Sequence, residues 1–168
     1  MDPTYAFDIQ WTVLSYPTGE PNRPQFTSVP PHLYVYGARE EVNGVVHAHP
    51  PTATAYATAG RTLPDDLLTE MTMGLGDAPL VEHGVPGSMT APDALGPVIH
   101  TADVFLTAYH GTLTIGADVH EACSRMESVE FCAHTIFMAE QLGAKPLSHE
   151  KVAELRRVRQ ERLAADDN

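Results

Sequence analysis

Two histidines one residue apart, in "NGVVHAHPPT" (Asn43 to Thr52), are the first residues in the chain whose type and spacing offer chemistry. Residues two apart in a strand face the same side, so His47 and His49 project together, in line with Val45. Two neutral imidazoles so placed can take adjacent positions on one cation, each nitrogen about 2.0–2.1 Å from a zinc. The competing account is two partly buried histidines satisfied by ordinary hydrogen bonds, so a third ligand is needed. Of the nine histidines, His110 is the best candidate. It stands at a junction between two β-rich stretches, beside Gly111, where backbone can approach closely.

The other histidines divide by context. His32 precedes the HxH strand and is placed to support a ligand or to act as acid or base. His83 lies in "VEHGVPG", a proline- and glycine-rich loop of the kind that carries functional side chains. His100, His120, His134 and His149 have no such setting, and packing or solvent is their default. Three neutral histidines leave coordination positions open for water or substrate. A cation held this way can polarise a carbonyl and stabilise an enolate, or activate water; spacing does not choose between them. Two other HxH architectures fail on length and pattern. Cupin barrels need a glutamate soon after the second histidine, and "PPTATAYATAG" has none. An amidohydrolase barrel needs roughly 250 residues.

These histidines must be positioned by elements the pattern also predicts. "GVVHAH" alternates as a strand and stops at Pro50-Pro51. "DVFLTAYHGTLTIG" reads as two strands hinged on His110-Gly111. A further strand is expected over Ile9 to Leu14, and "HLYVYGA" is the end of a helix or a short strand. "ATAYATAG" is helical in flavour, "DDLLTEMTMGL" predicts a helix with an acidic first turn ending at Gly74, and a short helix is expected near Asp93. The clearest helix runs through "DVHEACSRMESVEFCAHTIFMAEQLG", where Ala122, Met126, Val129, Ala133 and Ile136 recur at spacings of three and four and Gly143 supplies a stop. A last helix starts at Ser148. Strands interleaved with helices make an α/β or α+β protein, a sheet covered by helices.

Composition limits the function classes. The chain has 168 residues, enough for one domain with a core. No apolar run has the length of a membrane span, and the first residues lack the basic and apolar blocks of a secretory signal. A net charge of −12 argues against nucleic-acid or anionic-membrane partners, which need clustered Lys and Arg. The basic cluster "RRVRQER" (Arg156 to Arg162) is read as a solvated helix face. Cys123 and Cys132 lie nine positions apart on one helix, about 13.5 Å, beyond disulfide reach. Free thiols point to a reducing, cytoplasmic setting.

"EEVNGVVHAHPPTATA" followed by "LTAYHGTLTIGADVHEACSRMESVEFCAHTIFMAEQLG" resembles the class II aldolase and adducin-head family, over roughly Arg23 to Gly143. The resemblance implies a three-layer α/β/α fold with a central, mainly antiparallel sheet, in a single domain over 1–168. It places His47, His49 and His110 on the family's metal-binding histidines, and Glu121, Ala122 and Glu130 on its final long helix. "VPGS" (Val85 to Ser88) matches the family's pre-helix loop more loosely. The implied cofactor is a divalent metal, Zn²⁺ foremost, with Mn²⁺, Fe²⁺ or Co²⁺ as alternatives. Family members form tetramers with sites between subunits, so a homo-tetramer or a complex with a partner subunit is expected.

Two departures shape the functional expectation. The family's catalytic glutamate has Ser28 in its place, and His32 stays at the histidine that follows. Glu20, Glu40, Glu41 and Glu82 are nearby acids that can substitute, and the sequence selects none. The family's N-terminal phosphate-binding loop also has no counterpart, for which a truncated chain, a partner subunit that supplies the missing half and a non-phosphorylated substrate compete, the last two favoured. A metal-dependent carbon–carbon lyase acting on a carbonyl or carboxylate substrate is therefore expected, of decarboxylase or aldolase type. Decarboxylation removes no C–H or O–H proton and so tolerates Ser28, with His32 or His83 donating a proton to the enolate. The alternatives are a non-catalytic assembly module of the adducin kind, and oxygen chemistry on iron. The iron site of that last class uses two histidines and a carboxylate, an imperfect match.

Overall fold

In the computed structural model, which describes residues 12–13, 29–82, 84 and 90–166, the β-rich stretches join in one five-stranded sheet. Strand β1 (Thr12–Val13), β2 (Gly44–Ala48), β3 (Leu80–Val81), β4 (Val104–Thr107) and β5 (Gly111–Gly116) lie in the order β1-β2-β5-β4-β3. Every neighbouring pair is antiparallel except β3 and β4, which are parallel. All six residues of β5 are buried, as a central strand covered on both faces requires.

The helices are α1 (Val29–Ala38), α2 (Pro51–Thr58), α3 (Thr90–Leu95), α4 (Val119–Gln141) and α5 (His149–Asp166). One face of the sheet packs Val104 and Leu106 of β4 against α2 and α4 through Tyr56, Val129, Ala133 and Ile136. On the same side Val46 and Ala48 of β2 meet Ala122 and Met126 of α4. The other face packs Val45, Phe105, Leu113 and Ile115 against Val35 of α1, Leu95 of α3 and Ile99. The predicted three layers are therefore present, with a core on each side of a mainly antiparallel sheet.

Helix α4 is seated by chemistry at its first turn. Asp118 caps it by accepting from the Glu121 N–H at 2.8 Å, and the Glu121 carboxylate reaches back to the Ala117 N–H at 2.6 Å. The turn lies against two glycines paired across β2 and β5, Gly44 and Gly116. A Cβ on Gly44 would stand 2.1 Å from the Asp118 carbonyl oxygen, and one on Gly116 2.8 Å from the Ala122 nitrogen. Below this contact the Thr114 hydroxyl donates to the Ala122 carbonyl at 2.7 Å. The same end of the sheet carries a charge network: Arg39 binds Asp103 at 2.8 Å and Glu41 at 2.7 Å, and Arg125 binds Glu121 at 2.8 Å and Asp103 at 3.3 Å.

Several local expectations change in the tertiary setting. "HLYVYGA" is helix, the end of α1. Of the strand expected over Ile9 to Leu14, Thr12–Val13 pairs at the sheet edge and the rest lies outside the described residues. The helix expected to open on Asp65 begins later, at Thr69, and Met71–Leu75 is π-helical before Gly76 turns at φ 75°. Its acidic first turn is taken by outside partners: Asp65 pairs with Arg156, and the Asp66 carbonyl accepts from the Leu147 N–H at 2.7 Å. The basic cluster is correspondingly only half solvated. Arg156 and Arg159 dock α5, Arg159 donating to the Leu75 carbonyl at 3.0 Å, while Arg157 pairs with Glu161 on the outside. Cys123 and Cys132 are free. Among the described residues no helix is long and apolar enough to cross a membrane.

The closest approach in this architecture is a backbone contact at Gly44, which cannot yield as a flexible side chain would. Gly44→Ala is expected to destabilise the protein by about 3 kcal/mol, the upper end of ordinary overpacking costs, measured by urea unfolding against the wild type.

Candidate metal centre

Two separate devices carry the three histidines to one point. His47 and His49 come from the end of β2, where period-two alternation puts both on one face. His110 closes the hairpin between β4 and β5, a loop of Ala108, Tyr109 and His110. Its N–H donates to the Thr107 carbonyl at 3.0 Å, and Tyr109 adopts the left-handed region at φ 58°. That region costs a non-glycine residue of order 1–2 kcal/mol. Tyr109 nonetheless stands there, 70% exposed, next to the candidate ligand.

The Nε2 atom of His47 lies 3.1 Å from Nε2 of His110 and 3.2 Å from Nε2 of His49. One ligand nitrogen from each ring lies within 4.8 Å of the others. Nitrogens bound at 2.0–2.1 Å to one tetrahedral zinc stand roughly 3.3 Å apart, so the observed spacing fits a single ion. The tautomer of His47 also follows from the structure. Its Nδ1 lies 3.0 Å from the Thr112 carbonyl oxygen. A carbonyl only accepts, so Nδ1 carries the proton and the neutral ring presents a bare Nε2 to the cluster. Burial, followed by the neighbouring His110, His49 and His32, pushes the His47 imidazole down from its ordinary value to about 3. The ring therefore keeps its lone pair at neutral pH. An all-imidazole donor set suits zinc, iron, nickel or copper better than the oxygen-seeking magnesium or calcium.

Gly111 sets the fit of His49. A Cβ there would stand 2.4 Å from the His49 ring carbon Cδ2 and 2.6 Å from the Ala48 carbonyl oxygen. The backbone of β5 thus touches the ligand ring itself. The Thr112 carbonyl that orients His47 belongs to the next residue, so β5 positions two of the three rings.

The remaining predicted site residues are distributed unevenly. His32 on α1 has 0% exposure and lies near enough to His47 to disfavour its protonation. It has no solvent-facing edge from which to deliver a proton. Ser28 and His83 lie outside the described residues, as does Glu20. Among the acids that could replace the missing glutamate, Glu40 and Glu41 follow α1 at the far end of β2, where Asn43 donates to the Gly116 carbonyl. They are a strand's length from the histidines. Glu82 is exposed and follows β3 at the histidine end of the sheet, where the Val81 carbonyl accepts from the Ala108 N–H at 3.0 Å.

Comparison with known proteins bears on the family and the fold. Residues 5–137 match the family described as Class II Aldolase and Adducin N-terminal domain. The chain is 29% identical over 129 residues to a 3-oxo-tetronate 4-phosphate decarboxylase of Escherichia coli K12, covering 74% of this chain and 61% of that one. It is 28% identical over 138 residues to an L-fuculose phosphate aldolase of Methanococcus maripaludis, covering 81% of this chain and 70% of that one. The crystal structure of YgbL from Escherichia coli superposes with a TM-score of 0.73 at 27% identity, over 82% of this chain and 68% of that one. The chain thus spans about three-fifths of the decarboxylase it matches.

Two substitutions test the centre. His110→Ala is expected to lower bound zinc from about one equivalent per chain to none, by elemental analysis of reconstituted protein. Gly111→Ala keeps all three ligands but displaces His49, and is expected to weaken Co²⁺ binding by about tenfold or more in a competition titration.

Proposed function

The chain belongs to the Class II Aldolase and Adducin N-terminal domain family, and from that premise we propose that it is a metal-dependent carbon–carbon lyase, of decarboxylase type. The observation that carries the proposal is the convergence of three histidine Nε2 atoms, 3.1 and 3.2 Å from one another through His47. His47, His49 and His110 would hold the cation, Zn²⁺ foremost, with Mn²⁺, Fe²⁺ or Co²⁺ as alternatives. Bound there, it would supply Lewis-acid stabilisation of the negative charge that develops on a substrate carbonyl oxygen.

The substrate class is a 3-oxo acid. Cleavage of the bond between the carboxylate carbon and its neighbour releases CO₂ and leaves the electron pair as an enolate. A proton then returns to that carbon. No base is needed to start the reaction, which accords with Ser28 where the family's glutamate would be. Three relatives or more of this chain carry the name 3-oxo-tetronate 4-phosphate decarboxylase, which supports decarboxylation over aldol cleavage.

The chain's own groups divide the remaining work. The Thr112 carbonyl holds His47 in the tautomer that offers Nε2. His32 is enclosed close to His47 and would serve as its support rather than as a proton donor. Proton return falls to the segment after β3, through Glu82 or His83. The support for Glu82 is its exposure and its place beside Ala108 at the histidine end of the sheet; for His83 it is the sequence of its loop.

The test is CO₂ release from 3-oxo acids, phosphorylated and not, by protein loaded with Zn²⁺, Mn²⁺, Fe²⁺ or Co²⁺ and by protein treated with a chelator. Release that requires the metal, and that falls by about 10²-fold or more in Glu82→Gln or His83→Ala, is the expected outcome. Metal-dependent aldol cleavage of a sugar phosphate, abolished by His32→Ala, would overturn decarboxylation. Absence of both metal binding and turnover would leave an assembly module of the adducin kind.

A further inference from the structure

Helix α2 begins immediately after His49, and its start lacks the usual cap. Pro50 is the N-cap residue, at φ −63° and ψ 129°, and offers no side-chain hydrogen bond; Pro51 follows at the first helical position. Two prolines in a row remove two N–H donors, so Thr52 and Ala53 carry the first donors without a partner inside the helix. The first intrahelical bond runs from the Thr54 N–H to the Pro50 carbonyl at 2.8 Å. Ala53 has 0% exposure, so water cannot serve its N–H.

Both donors go to one carboxylate, 77 and 78 residues along the chain. The Thr52 N–H lies 2.9 Å from Oε1 and 3.0 Å from Oε2 of Glu130, and the Ala53 N–H lies 3.0 Å from Oε2. Glu130 on α4 therefore supplies the cap that proline cannot. A carboxylate there also complements the positive end of the helix.

We infer that Glu130 is a positioning residue for the metal centre, acting through α2 on His49; the inference rests on the reading of His47, His49 and His110 as ligands. The link is mechanical. Proline fixes φ near −65°, so Pro50 and Pro51 leave little freedom between the first turn of α2 and the backbone of His49. Helix α4 is itself seated on the sheet, at Gly44, Gly116 and Thr114. Glu130 thus refers the His49 backbone to the strand pair that carries His47 and the Thr112 carbonyl. With Glu130 capping α2 and Gly111 against the ring, His49 is held from both sides.

The experiment compares wild type, Glu130→Ala, Glu130→Gln and a control, Ile99→Ala. Ile99 is 1% exposed and packs in the core on the face of the sheet opposite α2 and α4. Two readouts are taken: Co²⁺ affinity with its visible ligand-field spectrum, and the ¹⁵N resonances of the His49 ring in metal-free protein. Glu130→Ala is expected to lose about tenfold to a hundredfold in Co²⁺ affinity, with an altered band and shifted His49 resonances. Glu130→Gln, which keeps one acceptor oxygen, should recover part of that loss. Ile99→Ala should lower thermal stability while leaving affinity and resonances near wild type. Unchanged Co²⁺ binding and unmoved His49 signals in Glu130→Ala would overturn the inference. Wild type that binds no Co²⁺ would instead sink the metal reading, and the metal-free resonances would still decide whether Glu130 positions His49.

Discussion

Three imidazole nitrogens brought within hydrogen-bonding distance at one point are the constraint that the rest of the structure serves. With the His47 proton held on Nδ1 by the Thr112 carbonyl, its Nε2 is a bare lone pair, and the Nε2 atoms of His110 and His49 lie 3.1 and 3.2 Å away. Nothing in local backbone preference favours this. A cation held by all three would gain three nitrogen ligands, and without one the surrounding structure has to hold the rings. That requirement explains the density of fixed features around them: a strand pair, a hairpin with a left-handed tyrosine, two prolines and a glycine that touches a ring.

The sheet separates the tasks of stability and chemistry along its length. At one end, Gly44 and Gly116 admit the first turn of α4, and Arg39, Asp103, Arg125 and Glu121 tie the helix, strand and loop together. At the other end, β2 runs into His47 and His49, and β4 and β5 meet at His110. Between them lie two apolar layers that bury β5 completely. A buried central strand has no slack along its ladder, so the position of Thr112 relative to His47 follows from pairing alone. Activity and substrate are proposals, but the rigid frame they would need is present.

Much of this was legible from residue order. Period-two alternation in "GVVHAH" placed His47 and His49 on one face, and the structure brings their Nε2 atoms to 3.2 Å. The three- and four-residue spacing of Ala122, Met126, Val129, Ala133 and Ile136 located the buried stripe of α4, and all five are buried. The resemblance carried by the two histidine motifs led to the family and its three-layer fold, and the matched region, 5–137, begins nearer the N-terminus than Arg23. The helix expected from "DDLLTEMTMGL" begins only at Thr69, while the groups of its expected first turn bond to α5 and the segment before it. Arg156 and Arg159 were read as solvated for the same reason, since their partners lie more than eighty residues away.

By itself, then, the sequence determined the periodic elements, the pairing of His47 with His49 and the choice of His110 as the third histidine, which the structure brings beside the other two. These depend on side chains a few positions apart, or on a motif whose spacing is local. Only the tertiary structure decided which nitrogen of His47 faces the cluster, that His32 is enclosed, that Glu40 and Glu41 lie at the wrong end of the sheet, and that Glu130 caps α2. The signal for the last was present in a Pro-Pro helix start with no capping side chain, but not the identity of the donor's partner. Each of these facts is a contact between segments far apart in the chain, set by how helices and strands pack rather than by the preferences of any one of them.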